Sequence, residues 1–303
     1  NLFSYLGEYY FRFGLLSHFR LQYLVLFLAS SSFFIIFFNK KWLLLSLLGL
    51  LFNAIPVLSI YLPTETDSTE KNNEVSLLLT NVLSSNQSYA ALLNKIEQKQ
   101  ADIIVVLELT PQWAYELRAI DKTYPYQKLI PQRSNFGVGL YSKYPLEDIT
   151  VIDFASNGIP SISANIRFNR KQLNIIATHP IPPLNKSFAE QQKRHLENLA
   201  HFTQSRKSIT RSTDTTLVLV AADLNSTQWS PLYRKFMNSS GLKNTRQGKG
   251  IYPSWPVGEG IFGYLLQIPL DHVLVSKNIH TQKFEKLESI SSDHFPIYIE
   301  LQF

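Results

Sequence analysis

Cysteine does not occur in the 303-residue sequence, which excludes a disulfide framework and any metal site built from thiolates. The redox state of the surroundings therefore has no bearing on the fold. Internal repeats and low-complexity tracts are absent as well. The length suffices for one large domain or two ordinary ones.

Charge is missing from two long apolar runs. Residues 21–38 carry no charge over 18 positions, and residues 42–62 carry none over 21. At about 1.5 Å per residue, each run reaches roughly 27–32 Å as a helix, close to the ~30 Å hydrocarbon core of a bilayer. Two buried core helices are the alternative, but helices of soluble cores are rarely apolar on every face. The runs predict a transmembrane helical hairpin that contacts the lipid bilayer through residues 21–62.

Two lysines lie in the turn between these runs. Lys40 and Lys41 follow Asn39 there, and the positive-inside tendency places such a turn in the cytoplasm. Residues 63–74 form a polar, acidic linker that suits the opposite side. The domain that begins at residue 75 is therefore predicted to lie outside the cytoplasm, on the periplasmic or extracellular side of a bacterial inner membrane.

Residues 1–20 mix aromatic side chains with Arg12, His18 and Arg20, which predicts an interfacial amphipathic segment before the first span. The chain begins with Asn1 rather than Met. A hairpin with both ends outside the cytoplasm needs an earlier segment to carry the chain across, so we expect a spanning helix or a signal segment before Asn1.

Charge gives little indication of a polyanionic partner. Residues 1–62 carry four Lys or Arg and one Glu, so the remaining chain has a net charge of +3 out of the total of +6. Such a mild excess does not by itself indicate a nucleic-acid binder. The sequence also gives no evidence of an obligate protein partner.

Residues 75–303 alternate between apolar runs and helical patterns. Helices are predicted over residues 88–100, from Pro111 to Leu117 behind an N-cap at Thr110, and from Ser187 over about 17 residues. Strands are predicted at 75–80, 102–109, 136–142, 161–168, 172–179, 216–223, 270–276 and 295–301. The mixture of strand–helix alternation and consecutive strands predicts an α/β domain of mixed sheets covered by helices.

Polar side chains stand at the edges of six of these strands. Turn chemistry commonly explains a single residue of this kind, but strand ends on one rim converge in space, where buried polar groups need partners. The residues are Asn81, Glu108, His179, Asp223 with Asn225, Asp271 with His272, and Asp293 with His294. The economical interpretation is one polar site that binds a metal and a phosphate.

Each residue type has a chemical use at such a site. The carboxylates, Glu108 and one of the aspartates, suit a hard divalent cation. A hydrolytic attack needs a base with a pKa near neutrality, and an imidazole oriented by a carboxylate meets that need. Neutral groups such as Asn81, Asn225 and His179 are able to hold phosphate oxygens as charge accumulates in the transition state.

The order of these motifs resembles the endonuclease/exonuclease/phosphatase superfamily, which includes pancreatic-type deoxyribonuclease, abasic-site endonucleases, inositol-phosphate 5-phosphatases and neutral sphingomyelinases. The motifs are TNV (80–82), LEL around Glu108, NFGVGLYSKYP (135–145), THP (178–180), ADLNS (222–226), LDHVLVS (270–276) and SSDHFP (291–296). The resemblance covers residues 75–303 and implies a four-layer α/β sandwich of two mixed β-sheets flanked by helices. The apolar runs, together with PIPP, WSP and PSWP, resemble a membrane-anchored bacterial branch.

The resemblance implies ligands for metal and phosphate. Glu108 matches the principal Mg²⁺ ligand, with Mn²⁺ as the alternative ion. Asn81 matches the asparagine beside metal and phosphate, and Asp293 matches the carboxylate near the metal. His179 matches the histidine that contacts the scissile phosphate, and Asn225 matches the residue that helps to hold it.

The resemblance also implies the catalytic set. Asp223 matches the aspartate that orients or activates the attacking water, and His294 matches the histidine paired with the aspartate at Asp271. His179 completes the set. The identity of the base stays open between His294 and Asp223, so we expect His294, Asp271 and Asp223 to share the role.

Two positions depart from the abasic-site endonucleases. Those enzymes carry an Asp where this chain has Leu83, and a Tyr where it has His179. Both differences argue against a DNA-repair enzyme and leave nucleases of the deoxyribonuclease type and lipid or sugar phosphohydrolases open.

The predicted function is a membrane-anchored, Mg²⁺-dependent phosphoester hydrolase, a phosphodiesterase, nuclease or phosphatase that acts by metal-assisted in-line attack of water on phosphorus. The substrate stays open between nucleic acid and a phospholipid headgroup. The alternative is a non-catalytic membrane-tethered sensor or scaffold that retained the fold, but a scaffold predicts loss of site residues, and every principal position is filled.

Four further positions have two interpretations each. His272 follows Asp271 on a strand and points to the opposite face, where a structural hydrogen bond competes with a catalytic role. Trp229 and Trp255 fit either a cleft wall or core packing, and Asn135 fits either substrate contact or a turn cap.

Overall fold

The structure, a computed structural model, describes residues 10–63, 74–168, 171–208, 216–258, 263 and 265–303. Residues 1–9 of the predicted amphipathic segment and residues 64–73 of the predicted linker lie outside the described residues. The described chain begins with α1 (Phe11–Leu15) and one 3₁₀ turn (Leu16–Phe19), which lead into α2 (Arg20–Ile36). Then come α3 (Lys40–Leu58), which Asn39 caps through Trp42, and a second 3₁₀ turn (Ser59–Tyr61).

Helices α2 and α3 pack against each other as the helical hairpin. Ser30 Oγ lies 2.8 Å from Ser46 Oγ at their seam, and a Cβ on Gly49 would overlap the ring of Phe27, so the two backbones approach closely there. The helical segments Phe11–Ile36 and Lys40–Tyr61 are long and apolar enough to cross a membrane. In the most apolar 18-residue stretch of each segment, only 11% and 22% of the residues, respectively, are buried. A core helix of a soluble protein would be mostly buried, so this exposure argues against the core-helix alternative.

The first sheet has six strands in the order β11-β12-β1-β2-β4-β3. Its β1 and β2 are parallel, and the other neighbours are antiparallel. The strands are β1 (Glu74–Asn81), β2 (Ile103–Leu107), β3 (Tyr126–Ile130), β4 (Val138–Ser142), β11 (His280–Lys286) and β12 (Ile297–Gln302). Strand β1 begins at Glu74, one residue before the predicted start of the domain. Strand β12 begins at Ile297 rather than at the predicted Phe295, because Pro296 has no N–H to donate to a neighbouring strand.

The second sheet has six strands in the order β5-β6-β7-β8-β10-β9, and only β7 and β8 are parallel. The strands are β5 (Glu147–Ile152), β6 (Ser161–Phe168), β7 (Lys171–Thr178), β8 (Thr216–Asp223), β9 (Lys243–Asn244) and β10 (Asp271–Val275). The remaining helices are α4 (Tyr89–Lys99), α5 (Pro111–Glu116) with a 3₁₀ turn (Leu117–Ile120), α6 (Lys186–Ser208) and α7 (Pro231–Ser240).

The apolar core lies between the two sheets, and helices cover their outer faces. Alternation on β12 shows the arrangement, since Ile297, Ile299 and Leu301 are buried between the sheets. Tyr298 points to the other face and joins the cluster that contains residues of α4 and α5. A third cluster joins β8 to α6 and α7. The predicted four-layer α/β sandwich of two mixed sheets is confirmed.

The register of the strands brings together the polar residues at their ends. In the parallel pairs Asn81 lies opposite Leu107, so Glu108 follows beside it, and Thr178 lies opposite Ala222, so His179 comes level with Asp223. In the antiparallel pair of β10 and β8, Asp271 is the direct partner of Asp223. The carboxyl ends of β1, β2, β7 and β8 thus meet the amino end of β10 at one rim.

Candidate active site

Asn81 and Glu108 are in direct contact at the ends of β1 and β2. Asn81 Nδ2 donates to Glu108 Oε1 at 3.1 Å and lies 3.3 Å from Asp223 Oδ2, so Asn81 links the two sheets. Both Asn81 and Glu108 are buried. Glu108 has φ of +60°, a left-handed conformation that costs energy for a side chain with a Cβ. Such strain at a buried carboxylate supports a functional reason for its position.

Ser84 completes the surroundings of Glu108, and the sequence reasoning missed it. Its backbone N–H donates to Glu108 Oε2 at 2.9 Å, and its hydroxyl donates to Asn135 Oδ1 at 2.6 Å. Asn135 is therefore connected to the Glu108 carboxylate through Ser84. No residue-type signal marks Ser84, because its contribution to Glu108 comes from a backbone amide.

His179, Asp223 and Asn225 form the second part of the site. His179 Nε2 lies 3.4 Å from Asp223 Oδ2 and 3.2 Å from Asn225 Nδ2. Asn225 also donates to the carbonyl of Pro180 at 3.0 Å, and its backbone N–H donates to Asp223 Oδ1 at 2.9 Å. Asn225 has φ of +48°, a conformation that Asn tolerates better than most residues. The turn after β8 thereby fixes an amide beside the imidazole.

His294 and Asp271 form the third part. His294 Nδ1 donates to Asp271 Oδ2 at 2.8 Å, and its Nε2 lies 3.6 Å from Asp223 Oδ2. The backbone N–H of His294 donates to Ser292 Oγ, and the Ser292 hydroxyl donates to the carbonyl of Asn81. The chain before β12 is thus tied to the end of β1, with His294 between two carboxylates.

Asp293 is in direct contact with Trp255. Its Oδ2 accepts a hydrogen bond from Trp255 Nε1 at 3.0 Å, whereas no contact in the described residues joins it to Glu108. The rings of Trp255 and His294 lie 6.4 Å apart. Trp255 therefore belongs to the wall of the site. Trp229 does not, because it is buried and donates to the carbonyl of Pro56 in the helical hairpin.

Two effects act on the pKa values of His294, His179 and Asp223: burial disfavours the charged form of each group, and nearby opposite charges favour it. Burial lowers the pKa of His294, but the charges of Asp271 and Asp223 outweigh it and raise the pKa to about 10. Burial likewise acts against the charged form of His179, and the charge of Asp223 overcomes it and raises the pKa. Burial alone would raise the pKa of Asp223, but His294 and His179 hold it well below its usual range.

Two sets of atoms could hold a cation. Asp223, Asp271 and His294 have potential ligand atoms within 4.8 Å of one another. The hydrogen bond between His294 Nδ1 and Asp271 Oδ2 leaves Nε2 of His294 and Oδ1 of Asp271 as the atoms that a cation would contact. The predicted set, Glu108 with Asn81 and Asp293, offers oxygen donors, which hard divalent cations prefer. Oδ1 of Asp271 and Oδ1 of Asp293 are buried with no hydrogen-bond partner among the described residues. Such carboxylate oxygens fit a bound cation.

His272 is structural. Its Nε2 donates to the carbonyl of Ser226 at 2.8 Å, and its Nδ1 accepts from Arg246 Nη1 at 3.2 Å, both on the face away from the site. Burial, followed by the charge of Arg246, lowers the pKa of His272 to about 3, so the ring is neutral. Arg246 in turn donates to the backbone carbonyl of Asp271 at 2.5 Å and supports the strand that carries Asp271.

The fold and these residues define a class of protein. Two solved structures illustrate the similarity. D. rerio TDP2 complexed with single strand DNA product is 14% identical, with a TM-score of 0.61, and the match covers 76% of this chain and 99% of that one. Sphingomyelinase C from Streptomyces griseocarneus is 16% identical, with a TM-score of 0.58 and coverage of 75% and 99%. Identities this low show the fold alone. A search of curated protein sequences found no match.

The sequence profile of the Endonuclease/Exonuclease/phosphatase family matches residues 78–294. That range contains every residue of the site from Asn81 to His294. The chain belongs to this family and is an enzyme, a metal-dependent phosphoester hydrolase.

Proposed function

We propose that the chain is a Mg²⁺-dependent phosphoester hydrolase, with Mn²⁺ as an alternative ion, that the helical hairpin anchors in a membrane. The observation that carries the proposal is the link between the two sheets through one buried carboxylate. Asp223 Oδ2 lies 3.3 Å from Asn81 Nδ2, 3.4 Å from His179 Nε2 and 3.6 Å from His294 Nε2. An amide and two imidazoles around one carboxylate form a polar site that the flanking apolar sheets do not need for packing.

Glu108, Asn81 and Asp293 are the residues proposed to hold the cation. A divalent cation bound there supplies positive charge that offsets the negative charge developing on phosphate oxygens. The buried, unpartnered Oδ1 of Asp293 supports this assignment. The Ser84 N–H fixes the Glu108 carboxylate, so Glu108 is oriented before any cation binds.

His179 and Asn225 are proposed to hold the phosphate. Their Nε2 and Nδ2 atoms lie 3.2 Å apart, close enough to contact oxygens of one phosphoryl group. Nε2 of His179 is the ring nitrogen that faces Asp223 and Asn225, whereas Nδ1 is buried and has no hydrogen-bond partner among the described residues.

Asp223, His294 and Asp271 are proposed to handle the water. Asp223 orients water for in-line attack on phosphorus, and Asp271 fixes the ring of His294 so that Nε2 faces the same space. A P–O bond forms to water and the P–O bond to the leaving alcohol breaks, while this set of three residues takes the proton that water loses and returns a proton to the leaving oxygen.

Membrane anchoring rests on the exposed apolar surface of the helical hairpin. Lys40 and Lys41 begin α3 at one end of the hairpin, whereas the catalytic domain contacts the other end, near His18, Pro56 and Ser59. A hairpin that spans a bilayer thus has its lysines and its domain on opposite sides. The positive-inside tendency supports a domain outside the cytoplasm.

A hydrolysis screen with the purified full chain tests the enzyme proposal. Phosphate monoesters, bis(p-nitrophenyl) phosphate, single-stranded DNA, RNA and phospholipid are offered with Mg²⁺, with Mn²⁺ and with excess chelator. We expect turnover that needs the cation and is lost in His294→Ala but kept in His201→Ala, whose histidine is exposed on α6. The same rate in His294→Ala as in the wild type would overturn the proposal.

A further inference from the structure

The catalytic domain is joined to the helical hairpin directly beside the site. Thr227 follows the phosphate-holding Asn225 by two residues, and His18 Nδ1 accepts from its backbone N–H at 3.2 Å and lies 3.0 Å from its hydroxyl. Trp229 donates to the carbonyl of Pro56 and packs with Val57 in a buried apolar cluster. The turn that carries Asn225 therefore continues straight into the contact with the hairpin.

A second connection runs from Trp255 to the same end of the hairpin. Trp255 donates to Asp293 and pairs with Ile268 in an antiparallel bridge. Gln22 Nε2, in the first turn of α2, donates to the carbonyl of Leu265 at 2.8 Å and lies 3.3 Å from that of Gln267. We call the described residues 255–258, 263 and 265–268 the rim loop. One end of the rim loop touches the site, and the other touches the hairpin.

The level of these contacts in the bilayer follows from where helices α2 and α3 begin and end. Helix α2 has 17 residues and α3 has 19, so each extends roughly 25–29 Å, close to the thickness of the hydrocarbon core. Gln22 lies near the start of α2, and Ser59 and Ile60, just after α3, accept hydrogen bonds from Gln247 and Gly248 of the domain. A hairpin that spans the bilayer therefore holds the rim loop at the level of the lipid headgroups.

The rim loop exposes apolar side chains at that level. Leu265 is 43% exposed and Leu266 is 52% exposed, beside the point where Gln22 binds the Leu265 carbonyl. Val25 and Leu26 of α2 are exposed as well and lie one helical turn after Gln22, so the two apolar surfaces meet where Gln22 binds the rim loop. Continuity with a membrane-spanning surface identifies the occupant as the same bilayer.

We propose that the rim loop seats Leu265 and Leu266 in the outer part of the bilayer, so that the site receives its phosphoester from a membrane lipid rather than from solution. This inference rests on the proposed function. The phosphorus of a lipid lies in the headgroup layer, which is the level of the rim loop. Hydrolysis leaves the phosphate on one product and the proton from water on the leaving alcohol.

A matched control comes from the opposite edge of the second sheet. Ile149 and Val151 on β5 are 42% and 49% exposed, nearly the same as the two leucines. Strand β5 is one edge of that sheet and β9 is the other, and the hairpin contacts Gln247 and Gly248 just after β9. Acidic substitutions at β5 thus add equal charge on a surface far from the proposed bilayer contact.

The experiment uses the full chain reconstituted in phosphatidylcholine vesicles that contain phosphatidylethanolamine or phosphatidylglycerol. Products released from the lipids are measured by mass spectrometry, and bis(p-nitrophenyl) phosphate is assayed in the same samples. We expect Leu265→Glu/Leu266→Glu to lower lipid turnover at least about tenfold, because the charges oppose insertion, while the soluble diester is cleaved at the wild-type rate. Ile149→Glu/Val151→Glu should leave both rates unchanged.

The outcomes separate the two proposals. Cleavage of the soluble diester or of single-stranded DNA without cleavage of any lipid would overturn the lipid inference and leave the hydrolase proposal standing. An equal loss of both activities in Leu265→Glu/Leu266→Glu would also overturn it, since the loop would then act on the structure of the site. Absence of turnover on every substrate with either cation would refute the proposed function itself.

Discussion

His294 Nδ1 lies 2.8 Å from Asp271 Oδ2, although the two residues stand 23 positions apart in the chain. Asp271 opens β10 and is the direct partner of Asp223 on β8, while His294 precedes β12 of the other sheet. The hydrogen bond therefore joins the two sheets across the site. It also fixes the imidazole, because a ring held at Nδ1 directs Nε2 toward Asp223, 3.6 Å away.

Replacing Asp271 with Asn is expected to reduce kcat by about 10²–10⁴, because an amide cannot hold the imidazole as a carboxylate does. His294→Ala should lose as much, and the double variant should lose little more than either single one, since the two residues act as a unit. Steady-state rates on bis(p-nitrophenyl) phosphate measure the effect, with His201→Ala as control. If the loss of kcat in the double variant were instead the product of the two single losses, the hydrogen bond between His294 and Asp271 would have no role in catalysis.

Glu108→Gln is expected to weaken binding of Mg²⁺ or Mn²⁺ at least about tenfold, because it removes the charge of the oxygen donor proposed as the main ligand. The single oxygen of Gln accepts from only one of the two donors that hold Glu108, the Ser84 N–H and the Asn81 amide, so the thermal midpoint is measured beside the metal affinity. Calorimetric titration of the metal measures the affinity directly. Glu97→Gln, on the exposed side of α4, serves as control. An unchanged affinity would assign the cation to Asp223 and Asp271 instead.

Gly137→Ala is expected to lower activity by disturbing the residue after Glu108. A Cβ at Gly137 would overlap the carbonyl oxygen of Leu109 and lie 2.7 Å from the backbone nitrogen of Gln132. Overpacking of this kind typically costs about 1–3 kcal/mol, and here the strain falls beside Glu108, the proposed metal ligand. Metal affinity and thermal midpoint are measured together.

Gly158→Ala provides the comparison for Gly137→Ala. Gly158 has φ of +82° and nothing within 4 Å of its Cβ position, so its substitution adds backbone strain without a clash. We expect a loss of about 1 kcal/mol in stability with normal metal affinity. Equal metal affinities in the two variants would show that Gly137 does not position Glu108.

Much of the fold could be predicted because hydrophobic patterning sets the strands and polar residues mark their ends. Asn81, Glu108, His179 and Asp223 each follow an apolar run, and register then brings them together. The N-cap at Thr110 was also predictable, and its Oγ1 accepts from the N–H of Trp113 at 3.1 Å. These features depend on local chemistry that the sequence displays directly.

Other features depend on contacts between distant segments, which patterning does not reveal. One local feature was also predicted wrongly, since the helix predicted to start at Ser187 begins at Lys186 and is capped by Asn185, whose Oδ1 accepts from the N–H of Phe188. Trp255 acquires its role only because its loop returns to Asp293, and Ser84 acts through its backbone. The contact between His18 and Thr227, 209 positions apart, likewise has no local signature.

Stability of the catalytic domain is expected to fall with acid because of His195. Its Nε2 lies 2.7 Å from Thr178 Oγ1, and burial lowers its pKa to about 3, with Asp153 acting in the opposite direction and His179 in the same direction. Since the unfolded chain has the ordinary pKa of 6.5, it binds more protons than the folded chain between these values. The contribution of neutral His195 to the unfolding free energy is therefore complete above about pH 6.5 and is lost as the pH falls toward the pKa in the folded chain.

His195→Gln is expected to remove this part of the pH dependence. Between about pH 7.5 and about pH 5.5, the wild type should lose about 1 kcal/mol more unfolding free energy than the variant. Urea unfolding followed by tryptophan fluorescence measures it, and His272, which also has a lowered pKa, contributes equally to both chains. His201→Gln, at an exposed position, should keep the wild-type slope. If the unfolding free energy changed equally with pH in His195→Gln and in the wild type, His195 would accept a proton without destabilising the folded chain.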